Sequence, residues 1–288
     1  MQHYFTPQLT EDGSFTFFSS EFDEAFHSHY GARQEAFYKF VKPCLLADKA
    51  RQQKCLVILD ICYGLGYNSA AAIATIWQQN PHCQIQLIAL ESDLGVPQAA
   101  IAQNLLTQES PEILAILTEI AAQQQCNTEY FQGNLLIADA RIAIQKLRAQ
   151  KLQADAIFLD PFSPPKCPQL WTVEFITQVA ACLKLKGRLA TYSCASSVRN
   201  ALAETGLHFG SSTVIGRKTP GTVASWSPEA IPALSERERE HLQTRASIPY
   251  RDPTLAATAT VIKENRQHEQ RQSDREPTRQ WKKRWRSQ

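Results

Sequence analysis

Between residues 54 and 194 this chain alternates short apolar segments with helical ones, and that alternation constrains its fold more than any other feature. Lys54–Ile61 (KCLVILDI) is continuous, short and rich in β-branched residues, the pattern of a strand buried on both faces. Residues 84–92, 134–140, 155–162 and 188–194 repeat the pattern, with helical stretches after each of the first four. Strands separated by helices make βαβ units, a parallel sheet and helices on both of its faces. HFGSSTVIGR and GTVASWS add two strands joined through a Pro-Gly turn, so the expected sheet has seven strands, mostly parallel, with an antiparallel edge. Three segments follow: a β/α cap over 1–53, a core over 54–227, and a polar extension over 228–288 that is helical at best and partly disordered.

Composition removes several classes of protein. Of 288 residues 43% are hydrophobic and 20% charged, which excludes a chain disordered throughout. No run of 18 apolar residues exists, so no membrane span is expected. The opening MQHYFTPQLTEDG lacks the basic and apolar regions of a secretory signal, which favours the cytoplasm. The eight cysteines include no C-x-x-C pair and several sit in apolar runs, so they are expected as buried free thiols rather than disulfides or metal ligands. The formal net charge of +2 conceals two poles: residues 263–288 carry +5 and the remainder −3.

The first strand ends in Asp60-Ile-Cys-Tyr63-Gly64-Leu-Gly66-Tyr-Asn68. Glycines permit positive φ and let a ligand approach the backbone, and the helix that follows directs its first N–H groups at that ligand. Such a loop serves a dinucleotide or S-adenosyl-L-methionine (AdoMet); Ser69 stands where the third glycine of the dinucleotide form belongs. Glu91, at the end of the second strand, suits a pair of ribose hydroxyls and fits both cofactors. Asp139 ends the third strand and can accept from an adenine amino group. All three fall on the carboxyl edge of the sheet, where ligands of doubly wound sheets bind. The fourth strand runs into Leu159-Asp160-Pro161-Phe162-Ser163-Pro164-Pro165-Lys166, and an acid followed by proline and an aromatic ring suits a planar amine substrate better than hydride transfer.

These segments, together with 12–41, QLWTVEF, LATYSCASSVRNALAETG and GRKTPGTVAS, resemble the MnmC/MnmD-type tRNA methyltransferases over nearly all of residues 12–225. The resemblance implies a Rossmann-like class I AdoMet-dependent methyltransferase fold. It implies N-methylation of 5-aminomethyl(-2-thio)uridine at the wobble position, in the anticodon loop of tRNA. It places Tyr63, Gly64, Gly66, Asn68, Glu91 and Asp139 at the cofactor and Asp160 at the reacting amine. Phe162, Ser163, Lys166, Trp171 and Tyr192 are then substrate-side candidates, with Phe162 and Trp171 as surfaces for a flipped-out uracil. His27 and Ser28 are candidates to close over the cofactor. Cys62 departs from the pattern, standing where the family usually has glycine. Some relatives carry a fused FAD oxidoreductase; no second glycine-rich βαβ unit occurs here, so neither FAD nor a metal is expected. The tail sequence Trp281-Lys-Lys-Arg-Trp285-Arg286 interleaves indoles with cations, a pattern suited to nucleic acid. The competing readings are an N-methyltransferase for another amine, an NAD-dependent oxidoreductase, and an RNA-binding protein with an inactive methyltransferase core.

Overall fold

A computed structural model describes residues 6–214 and 219–286. Its centre is an eight-stranded sheet: β1 (Cys55–Ile61), β2 (Gln84–Glu91), β3 (Gln125–Asn127), β4 (Phe131–Ile137), β5 (Ala154–Leu159), β6 (Leu183–Thr191), β7 (His208–Ser211) and β8 (Thr222–Ser225). The spatial order is β7-β8-β6-β5-β1-β2-β4-β3. The five inner strands are mutually parallel, and antiparallel pairs close both edges. The short edge strand β3 is the one not expected from sequence. The helical stretch expected after β2 is two helices, α2 (Gly95–Ala102) and α3 (Pro111–Gln123), and this strand follows them directly. Part of the expected strand through TVIGR falls on 215–218, outside the described residues.

Period-2 alternation divides the core. Leu56 and Ile58 of β1 join one apolar cluster, with Ile73 and Ile76 of helix α1 (Tyr67–Gln79) and Ile116, Leu117 and Ile120 of α3. Leu59 and Ile61 join the other, with Ile144 of α4 (Ala140–Ala149), Phe175 and Val179 of α5 (Val173–Ala181) and Leu202 of α6 (Ser196–Glu204). A strand covered on both faces has no polar side to show, which is why these strands appear as unbroken apolar runs. Gly187 lies within β6, not at the end of the helix before it. Helix α5 stops at Ala181, and the glycine sits inside β6, where the register with β5 shifts. A Cβ on Gly187 would lie 2.8 Å from the Ala154 carbonyl, so the close approach of backbone requires glycine there.

Residues 8–41 form two short hairpins, Gln8–Leu9 with Phe15–Thr16 and Phe18–Ser19 with Glu24–Ala25, then a helix Ala32–Glu35 that widens into a π-helical stretch Ala36–Val41. Lys39 on that stretch is buried, and its ammonium donates to the carbonyls of Thr213 (3.3 Å) and Thr219 (3.0 Å).

The extension beyond Pro228, expected to be partly disordered, folds back on the core as α7 (Glu236–His241), α8 (Ala259–Gln272) and α9 (Thr278–Arg286). Its few apolar residues do the packing: Tyr250 and Ile262 are buried in the second cluster. At most one buried residue per helix leaves no apolar stripe visible in the sequence. Arg199 of α6, itself buried, fastens α7 by donating to Glu238 at 2.8 Å. Burial pushes the Glu238 carboxyl up, but bonds from Ser211, the Ser235 N–H and Arg199 outweigh it and bring it down to about 2. A depressed carboxyl stabilises the fold above its unfolded value near 4.5, and that contribution disappears as pH falls through about 2. Glu238→Gln leaves a buried guanidinium unpaired and is expected to destabilise the protein by about 3 kcal/mol at pH 7. Urea melts of variant and parent should differ by that amount at pH 7 and converge near pH 2.

Candidate active site

The carboxyl ends of β1, β2, β5 and β6 surround a cavity of about 510 Å³, roofed by the hairpin residues 18–27. The sheet is open here because the chain leaves neighbouring strands toward opposite faces, the usual place for a ligand.

After β1 the backbone turns through three left-handed residues, Cys62 (φ 67°), Gly64 (φ 57°) and Gly66 (φ 94°). At Gly66 a Cβ would meet the Tyr63 hydroxyl at 2.8 Å, so both conformation and space demand glycine. Cys62 adopts the same region with a side chain, which explains why glycine suits the position and costs of order 1–2 kcal/mol. Its thiol lines the cavity, and burial pushes its pKa well up, with the Glu91 carboxylate adding to the effect.

Glu91 clamps this turn. Its Oε2 accepts the Gly64 N–H at 2.9 Å, while Oε1 accepts the N–H groups of Ser92 (2.7 Å) and Asp93 (3.0 Å). Burial nevertheless raises its pKa, with these bonds pulling the other way. Beneath the loop lies Asp60, fully buried, its Oδ2 accepting from the Ser69 hydroxyl at 2.7 Å and its Oδ1 lacking a hydrogen bond from the described residues. Burial pushes this carboxyl up to about 7, the Ser69 bond opposing and the charge of Glu91 adding. Sequence analysis passed over Asp60 as the end of a strand, although an acid entering a glycine turn was the available signal.

On the far wall Asp160 leaves β5. Its carboxylate accepts from the Asn68 side chain at 2.8 Å, and Asn68 belongs to the first turn of α1. Two aromatic donors hold the following backbone: the Tyr192 hydroxyl donates to the Pro161 carbonyl (3.0 Å) and the Trp171 indole to that of Phe162 (2.8 Å). The hairpin closes from above. Phe22 stacks on Phe162 with centroids 4.4 Å apart, Glu24 accepts the Ser163 N–H at 2.9 Å, and Asp23 pairs with Lys166 at 3.0 Å.

Of the residues singled out from sequence, Gly64, Asn68, Glu91, Asp160, Phe162, Tyr192 and His27 line the cavity. The others do not, and each has another task. Trp171, expected as a stacking surface, is fully buried and serves as an anchor for the Phe162 backbone. Tyr63 is buried beneath Gly66. Asp139 caps α4 through the Arg141 N–H (2.8 Å) and pairs with the Arg141 guanidinium, which also reaches Asp252. Gly66 shapes the turn, Ser163 and Lys166 fasten the hairpin, and Ser28 donates to Glu35. Phe22, Glu24 and Phe26 line the cavity from the cap; nothing in a linear reading connects them to a loop some 140 residues away.

The electrostatics of the cavity are one-sided. Glu21, Glu24, Glu35, Glu91, Asp93 and Asp160 line it, and no lysine or arginine does among the described residues. Such a cavity selects cations. Its size, the glycine turn and the Glu91 carboxylate on its wall fit AdoMet, a nucleoside bearing a sulfonium and an ammonium.

A family model described as S-adenosyl-L-methionine-dependent methyltransferase matches residues 100–227. The crystal structure of MnmC2 from Aquifex aeolicus superposes with a TM-score of 0.83 at 33% identity, covering 94% of this chain and 86% of that one. An uncharacterized protein of Methanocaldococcus jannaschii is 30% identical over 267 residues, 90% of this chain and 70% of its own. The bifunctional tRNA 5-methylaminomethyl-2-thiouridine biosynthesis protein MnmC of Polaromonas naphthalenivorans is 28% identical over 214 residues, 71% of this chain but 32% of its length. The chain thus spans about a third of that bifunctional relative. The fold and site define an AdoMet-dependent methyltransferase. Within that class, the chain belongs to the MnmC-type methyltransferase family.

Two substitutions separate the roles of the glycine turn. Gly66→Ala is expected to weaken AdoMet binding at least tenfold, measured by calorimetry, because the loop must shift. Cys62→Gly should keep AdoMet binding and raise the melting temperature slightly, the relief of about 1–2 kcal/mol of strain exceeding the roughly 0.5–1 kcal/mol of added chain entropy.

Proposed function

We propose that this methyltransferase methylates the primary amine of 5-aminomethyl(-2-thio)uridine at the wobble position of tRNA, giving the 5-methylaminomethyl form. One observation carries the reading: a carboxylate-walled cavity in which Asp160 stands beside an aromatic ring at the end of β5. An aminomethyl group arrives as a cation, and this carboxylate-lined cavity attracts it. The printed names of the MnmC relatives point the same way.

When bound, AdoMet supplies an electrophilic methyl on a sulfonium. The chain's own residues then align and neutralise the amine. Alignment of two reactants is worth up to about 7–11 kcal/mol. Neutralising an amine of pKa near 10.4 at pH 7 costs about 4.6 kcal/mol, and like-charge repulsion from a nearby sulfonium offsets part of it. Asp160 receives the ammonium, orients the nitrogen lone pair toward the methyl, and accepts the departing proton or passes it to water. Asn68, donating to the same carboxylate, fixes its rotation. The Phe162 ring is the stacking wall for the uracil, and Phe22, now against it, marks where that base lies. The reaction is a displacement and calls for neither a flavin nor a Lewis acid, and the substrate places the enzyme with the cytoplasmic tRNA pool.

Asp160→Asn preserves the acceptor for Asn68 and removes the base. It is expected to keep AdoMet binding by calorimetry and lose about 10²- to 10⁴-fold in turnover on tRNA carrying aminomethyl-uridine. Full turnover by the variant, or no methylation of such tRNA by the parent as read by nucleoside chromatography, defeats the reading.

A further inference from the structure

Helix α9 has two unlike faces. Trp281, Arg284 and Trp285, at i, i+3 and i+4, turn toward α7. Trp281 is 4% exposed and stacks on His241 with centroids 4.3 Å apart and planes 10° from parallel. Arg284 pairs with Glu240 and Glu276, and the Trp285 indole donates to Glu240 at 2.8 Å. The indoles expected to stack on bases are therefore committed to holding the helix down. The same spacing turns Arg279, Lys282 and Lys283 to the other face, and all three are exposed. Exposed Arg237 of α7 joins them, its guanidinium 5.7 Å from the centre of the Trp281 ring. The cations converge closely enough that the fields of Lys282, Arg199 and Arg237 reinforce burial in lowering the pKa of His241.

This surface adjoins the catalytic edge of the sheet. At the start of α6 the cap position is Ala195, and the hydroxyl of Ser196 meets His241 Nδ1 at 2.7 Å. Ser196 follows Tyr192 of the cavity wall by four residues, at most ~14 Å of chain. The cavity itself, walled by carboxylates, repels a polyanion. An RNA that delivers a base there must be held by positive charge elsewhere on the same rim.

We propose that the outward face of α9, with Arg237, docks the phosphate backbone of the RNA whose nucleoside enters the cavity. The inference rests on the RNA reading above and adds the place where the polyanion is held. A basic helix bearing tryptophans also suits an anionic membrane surface, but that mode inserts the aromatic face, and here that face is buried against α7. The contact is to phosphate, so it carries affinity and salt dependence rather than sequence choice.

The test uses the full chain, bulk tRNA and a KCl series, with affinity read by fluorescence anisotropy. Each phosphate contact contributes about 0.7–0.9 to the slope of log K against log salt, so Arg237→Gln/Arg279→Gln/Lys282→Gln should lower that slope by about 2–3 and keep AdoMet binding. Should the triple variant fail to fold by circular dichroism, Lys282→Gln alone should lower it by about 0.7–0.9. Lys146→Gln/Lys151→Gln, two exposed lysines where α4 returns toward the start of β5 at the opposite edge, should leave the slope unchanged. An unchanged slope in the α9 variant, an equal loss in the α4 variant, or parent binding to phosphatidylserine vesicles but not to tRNA overturns the proposal. Parent protein that binds AdoMet and no tRNA removes the RNA reading itself. Parent and triple variant binding tRNA alike removes only the docking surface.

Discussion

The buried carboxylate of Glu91 organises the catalytic edge. It accepts backbone N–H groups from two loops at once, the turn after β1 through Gly64 and its own turn through Ser92 and Asp93. Those three donors are what make a charged group tolerable there, since an ion removed from water without partners is among the most expensive features a fold can carry. In return the Gly64 peptide is locked, the glycine turn keeps its left-handed course, and α1 starts where Asn68 meets Asp160. The same carboxylate lines the cavity, so the group that shapes the turn also sets the charge of the wall.

The charges of the chain are segregated by task. Carboxylates gather inside the cavity, while lysines and arginines gather on a helix beside it, and the small net charge conceals both. The aromatic residues divide in the same way. Phe22 and Phe162 face the cavity, whereas Trp171 and Trp285 spend their N–H groups, and Trp281 its ring, on anchoring backbone and helices.

Much of this was legible in the residues. Strands buried on two faces announce themselves as apolar runs, and the glycine turn, Glu91 and Asp160 lie at strand ends where topology forces ligands. What misled was the double meaning of short motifs. An acid at the end of a strand clamps the glycine turn at Glu91 and caps a helix at Asp139, and the two look alike until Arg141 is seen to hold the second. A tryptophan near a catalytic loop can face either way, and Trp171 faces the core. The roof of the site was out of reach, because Phe22 and Glu24 meet the β5 loop only through tertiary folding. The tail was misjudged because its helices attach through a few residues, Ile262 and Trp281 above all, and through the ion pair at Arg199.

Lys39 has a consequence for how the molecule comes into being. Its ammonium is satisfied by the carbonyls of Thr213 and Thr219, 174 and 180 residues further along. During synthesis at roughly 5–20 residues per second, those partners emerge some ~10–40 s after the lysine. Until then the amino-terminal segment has a cation with no place to be buried and a cavity roof with no walls. The order of translation and the order of folding therefore run in opposite directions here, and the nascent chain must keep its beginning waiting for its end.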